Sequence, residues 1–125
     1  AGTRTIDLLP RALEALKAQK AMSYLHPSGR VFINPRTGEP WTGDQAIRKT
    51  LWAHALKRAG VRYRRPYQTR HTYASMMVSA GEPLAWVSKQ MGHTNVVTTA
   101  RIYAGWIPST NNQAGMMADI KYQYN

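Results

Sequence analysis

The stretch YQTRHTYASMMVSAG, Tyr67 to Gly81, decides the reading of the chain. Taken as a helix, it places Arg70, Ala74, Met77, Val78 and Gly81 at i, i+4, i+7, i+8 and i+11, one face of a 3.6-residue period. Alanine, methionine and valine on one face predict a helix buried along that side. Arg70 breaks the stripe. An arginine there either lays its stem on the core edge and reaches out to water or a carboxylate, or it is aimed at an anionic ligand. Asp and Glu total only 6 in 125 residues, so intrachain carboxylates are scarce.

Working downstream, Pro83 to Met91 carries Leu84, Val87 and Met91 at i, i+3 and i+7, a second helix stopped by Gly92. Thr94 or Asn95 can cap a third, about Val96 to Gly105. Upstream, RYRRP is a basic linker ended by proline. Before it, a helix from about Asp44 to Ala59 is expected to turn Ile47, Leu51, Trp52, Ala55 and Leu56 inward, with Gly60 closing it. The segment HPSGRVFINPRTGEPWTG reads as loop, with Val31 to Ile33 a short strand at best. Pro10 suits the first turn of a helix that runs through RALEALKAQK, with Leu13, Leu16 and Lys20 along one side. AGTRTIDLLP reads as extended. The fold class is therefore mainly α, an α+β chain only through a minor β component near its start. No internal repeat or low-complexity tract is present.

Composition bounds the partners. Lys and Arg total 17 against 6 acidic residues, a formal charge of +11, while 43% of residues are hydrophobic. That combination describes a packed domain with a basic surface rather than a disordered basic tail. Such a domain prefers polyanions, nucleic acid first and an anionic membrane second. No apolar run approaches a membrane span and no secretory leader opens the chain, so the expectation is a soluble cytoplasmic protein. Without cysteine there is no disulfide, no thiolate nucleophile and no Cys-based zinc site. His26, His54, His71 and His93 lack metal-ligand spacing, and no cofactor is expected.

Three residues carry chemistry. Arg70 offers a permanent charge and a fork that fits two phosphate oxygens. His93, after Gly92 at a helix boundary, can donate to a third oxygen or move a proton near neutral pH. Tyr103 can attack phosphorus, although a phenol with a pKa of about 10 needs activation. Together they describe a transesterification that asks for no metal. Each also has a plainer reading: Arg70 in a buried ion pair, His93 as a loop residue, Tyr103 as a core aromatic with Val96 and Ala100 at i−7 and i−3.

The segment YQTRHTYASMMVSAGEPLAWVSKQMGHTNVVTTARIYAGWIP resembles the C-terminal half of the catalytic domain of tyrosine recombinases, the lambda-type phage integrases. The family's H-x-x-R element, Gly-His pair and tyrosine correspond to Tyr67 to Arg70, Gly92-His93 and Tyr103. AGTRTIDLLP and VFINPRTGEPWT are similar to the segments that precede this region. The resemblance implies that Tyr103 attacks a scissile phosphate of double-stranded DNA, giving a 3′-phosphotyrosyl link and a free 5′-hydroxyl, with Arg70 and His93 on the same phosphate. It further implies an integrase catalytic-core fold truncated at its N-terminus, with residues 1–107 as core and 108–125 as a tail. Self-association on DNA is expected through that tail, whose apolar patch is Met116 to Ile120.

Two departures stand out. Tyr67 occupies the place of the usual histidine, and the interval from His93 to Tyr103 is one residue longer than the commonest spacing. The family's first arginine and its hairpin lysine fall upstream of the matched region, and Arg4 lies on the wrong element to replace that arginine. A chain of this extent is thus expected to be incomplete for cleavage. Arg62, Arg64 and Arg65 run into the helix bearing Arg70 and, with Lys89 and Arg101, are the expected phosphate contacts. His71, about 100° round the helix from Arg70, reads as a supporting residue. Trp86 and Trp106 read as packing for the last helices. The rival function is a helix-turn-helix binding module built from the last two helices, but there Arg101 falls where an inward apolar side chain is wanted. A basic RNA-binding domain is weaker still, since no strands carry exposed aromatics beside Lys or Arg.

Overall fold

A computed structural model of the chain describes residues 3–108 and Lys121. The chain divides into two compact units, one Thr5–Arg70 and the other joining the segment that ends at Arg4 to the chain from His71 onward. Helices dominate both, as the sequence leads one to expect. The minor β component amounts, among the described residues, to an isolated antiparallel bridge between Ile33 and Pro40. No helix among the described residues is long and apolar enough to cross a membrane. The apolar patch Met116 to Ile120 lies outside the described residues.

In Thr5–Arg70, α1 is Pro10–Ser23, with proline at its first turn where the missing N–H costs nothing. Its Leu13 is exposed and Leu16 half-buried. What fastens α1 to the following loop is polar: Ser23 Oγ donates to the Val31 carbonyl at 2.6 Å, and Gln19 Nε2 donates to the same oxygen at 3.0 Å. His26 Nε2 donates to the Gly38 carbonyl at 2.9 Å while Nδ1 accepts from the Ser28 N–H, which fixes one tautomer.

The helix expected from Asp44 to Ala59 is present but is not uniform. It comprises α2, Gly43–Ala46, a π-helical stretch Ile47–Trp52, and α3, Ala53–Arg58. The Ala53 N–H reaches five residues back to the Arg48 carbonyl. This corrects the expected inward face. Leu51 is 54% exposed and Ala55 is exposed, whereas Ile47, Trp52 and Leu56 are partly buried. The wider π turn changes the spacing of inward residues from 47-51-55 to 47-52-56. Trp52 Nε1 then donates to the Arg64 carbonyl and ties the basic linker back to the helix.

In the other unit, α4 (Gln68–Ser79, beginning at the end of the first unit), α5 (Leu84–Met91) and α6 (Val96–Tyr103) run on into a 3-10 turn, Ala104–Trp106. Ala74, Val78, Val87, Met91 and Tyr103 form a buried core, with Tyr73, Met77, Leu84 and Trp86 packed against it. Each large apolar side chain buried there contributes about 1.5–3 kcal/mol. Gly81, expected on the buried stripe, is exposed and ends α4 with φ +85°. Asn95, one of the two expected caps, accepts from the Val97 N–H at 2.8 Å and starts α6.

Candidate functional site

The turn that presents His93 follows from the backbone. Gly92 ends α5 in the left-handed region at φ +70°, its N–H bonding to the Lys89 carbonyl and the His93 N–H to the Ser88 carbonyl at 3.0 Å. This pair of bonds is a Schellman closure, and its left-handed residue is cheapest as glycine. Gly92 has a second constraint: a Cβ there would meet the Arg4 guanidinium, 2.9 Å from Nη1. Arg4 Nε donates to the Gln90 carbonyl at 3.1 Å, so the N-terminal segment crosses the end of α5 just before His93.

His93 is half-buried, and its Nδ1 lies 2.7 Å from the hydroxyl of Thr99, a residue with no exposure at all. A buried threonine one turn into α6 thereby sets the orientation of the imidazole, which a histidine on an open loop would not have. The 92–95 turn and α6 act as one unit in this respect.

Tyr103, the last residue of α6, is 2% exposed and belongs to the core. Its ring lies edge-on to Trp106, centroids 6.1 Å apart at 61°. Its hydroxyl is 2.9 Å from Nδ1 of His71, and His71 is exposed. The ring is thus shut in while the hydroxyl reaches a side chain open to solvent. His71 is the residue that the reading of the sequence placed outside the centre of the site. The signal was present: His71 stands at i−3 from Ala74 and i−7 from Val78, so it flanks the buried stripe on one side as Arg70 flanks it on the other.

Arg70 is half-buried in the first turn of α4, at the end of the other unit, and Tyr67, 66% exposed, precedes that helix. The helix start is held by Thr69 Oγ1 donating to the Pro66 carbonyl at 2.7 Å. Arg62, Arg64 and Arg65 are exposed and, with Tyr63 and Gln68, line an open groove of about 480 Å³. Three guanidinium groups, an amide and a phenol on one groove suit a polyanion. Lys89 and Arg101 are exposed on α5 and α6. His93, Tyr103 and His71, which the sequence marks only as a supporting residue, therefore belong to one unit, and Tyr67, Arg70 and the linker arginines to the other.

Comparison with known proteins points one way. The model of the phage integrase family matches residues 2–106. The prophage integrase IntR of Escherichia coli K12 is 33% identical over 142 residues, which cover 97% of this chain and 34% of that protein. An XerC-like tyrosine recombinase of Caldanaerobacter subterraneus is 46% identical over 59 residues, covering 47% of this chain and 15% of the relative. The integrase of Salmonella phage P22 is 42% identical over 85 residues, with 63% and 22% covered. The chain spans about a third or less of the length of these relatives. No solved structure matches it.

Proposed function

The chain belongs to the phage integrase family, and on that premise we propose that it forms the C-terminal part of a catalytic domain that breaks and rejoins double-stranded DNA at specific sites. In this reading Tyr103 attacks the scissile phosphorus and leaves a 3′-phosphotyrosyl link and a 5′-hydroxyl. Arg70 holds the non-bridging oxygens, where charge builds in the transition state. His93, oriented by Thr99, hydrogen-bonds the phosphate or moves a proton. Tyr67 takes the place of a histidine as a hydrogen-bond donor to phosphate. Because the bond energy stays in the protein–DNA link, a second 5′-hydroxyl reverses the step without a nucleotide cofactor.

The observation that supports this best is the placement of the Tyr103 hydroxyl. A core tyrosine needs only some partner for its O–H, yet this one reaches an exposed imidazole, the partner type suited to moving a proton. The ring is covered, so in this reading the phosphate approaches from the side on which the hydroxyl meets His71. Arg62, Arg64 and Arg65 supply sequence-independent phosphate contacts; replacing one of them by alanine lowers the slope of log K against log salt by about 1. The first arginine and hairpin lysine of the family have no counterpart in these 125 residues, so cleavage is expected only where a longer chain supplies them, with a second copy of the chain bound beside it on the DNA.

The test uses such a longer chain with nicked suicide DNA of the attachment site, resolved on a denaturing gel. A covalent band that disappears in Tyr103→Phe supports the proposal. Tight DNA binding with no band in either protein favours the helix-turn-helix module instead. Arg101 weighs against that rival, because it is exposed at a position where such a module turns an apolar side chain inward.

A further inference from the structure

We infer that His71 is the proton acceptor for Tyr103 in strand cleavage, an assignment that rests on the reading of Tyr103 as nucleophile. A phenol is almost wholly protonated at neutral pH, so its attack on phosphorus needs a base within hydrogen-bond reach. Arginine cannot accept a proton, which removes Arg70, Arg4 and the linker arginines. His93 has Nδ1 engaged by the Thr99 hydroxyl at 2.7 Å. His71 already meets the requirement, with Nδ1 2.9 Å from the Tyr103 oxygen and the two ring planes inclined at 48°.

Two further features suit the role. His71 sits in the well-formed helix α4, one turn before the buried Ala74, so the nitrogen is held on a rigid element rather than on a loop. The ring is exposed, so a proton taken from the buried phenol can pass on to water. Adjacent residues of one helix then divide the work. Arg70 stabilises the charge on phosphorus and His71 activates the oxygen that attacks it.

The step balances as follows. The O–H bond of Tyr103 breaks and its proton passes to Nδ1 of His71, giving an imidazolium. The phenolate oxygen bonds to phosphorus as the bond from phosphorus to the 5′-oxygen breaks, and that oxygen takes a proton from the imidazolium of His93. Rejoining runs the same transfers backward, with His71 returning its proton to the departing tyrosine.

Two measurements test this separately from the function it builds on. In the 125-residue chain, nitrogen NMR of the histidine rings reads the tautomer. The expected result is an unprotonated Nδ1 on His71 whose resonance moves in Tyr103→Phe; a neutral ring protonated at Nδ1 overturns the inference, whatever the DNA result. In a longer, cleavage-competent chain, single-turnover formation of the covalent product is compared for His71→Ala and His71→Asn. Asparagine places an acceptor oxygen near the position of Nδ1 but cannot hold the proton. Both variants are expected to lose about 100- to 10,000-fold in rate, and to lose it equally on DNA whose 5′-bridging oxygen is sulfur, a leaving group that needs no acid. Near-normal rates in His71→Asn reduce His71 to a hydrogen-bond partner and overturn the inference. Rescue by sulfur makes it an acid and overturns it too. If even the unaltered chain gives no covalent product, the base assignment falls together with the reading of Tyr103, while the NMR result still says whether the phenol donates to His71.

Discussion

Each of the two units of the chain is stabilised internally by different means. From His71 onward, Ala74, Val78, Val87, Met91 and Tyr103 are buried against one another, and polar groups such as Asn95 and Thr99 are spent on caps and on one histidine. In Thr5–Arg70 the one residue that counts as buried is Ser23, and Ile6, Leu8, Leu25, Phe32, Leu51 and Val61 are all exposed. There side-chain hydrogen bonds to loop carbonyls add to half-buried apolar residues such as Leu16, Ile47, Trp52 and Leu56. The difference teaches where precision is needed: the candidate nucleophile and the histidine after Gly92 stand on the packed unit, where a displaced side chain costs most.

Substitutions can break or sharpen that contrast, each read by chemical denaturation followed by circular dichroism. Met91→Ala removes a core side chain and is expected to cost about 2–5 kcal/mol; a loss below about 1 kcal/mol would show that the packed unit is no better packed than its neighbour. Gly92→Ala is expected to cost about 1–2 kcal/mol, because alanine resists φ +70° and its Cβ pushes on Arg4. It should also disturb the His93 resonance, since the Schellman closure positions that ring. Ser23→Ala is expected to cost about 1 kcal/mol by loosening the bond to the Val31 carbonyl; an effect as large as that of Met91 would mean that the polar clasp equals a core. Leu51→Ala is expected to stay within about 0.5 kcal/mol, although a regular helix would place this leucine inward, and a larger loss would contradict the π-turn register.

The sequence was most legible where pattern and caps agree. Leu84, Val87 and Met91 mark α5, Gly92 stops it and Asn95 starts α6, because each signal is local and each is satisfied within a few residues. The inward face of the 43–58 helices was misread at Leu51 and Ala55, since one wide turn shifts every later residue and no residue type announces it. His71 reads from sequence only as a supporting residue, for a geometric reason. Two helical positions flank the same buried stripe, and the arginine that breaks the hydrophobic pattern draws the eye away from the histidine beside it. What marks His71 is its contact with Tyr103, 32 positions along the chain. The basic linker was plain from composition, whereas the bond from Trp52 that anchors it was not.

Trp106 gives the molecule a built-in optical gauge. Its indole is 52% exposed and stands edge-on to the Tyr103 ring at 6.1 Å. Emission from an indole responds to its neighbours and to water, so any change in the packing of the tyrosine ring when a strand binds changes the colour and yield of Trp106 fluorescence. With Trp41, Trp52 and Trp86 replaced by phenylalanine, a change around the tyrosine ring becomes visible in real time without a label, and its rate can be set beside the rate of bond making.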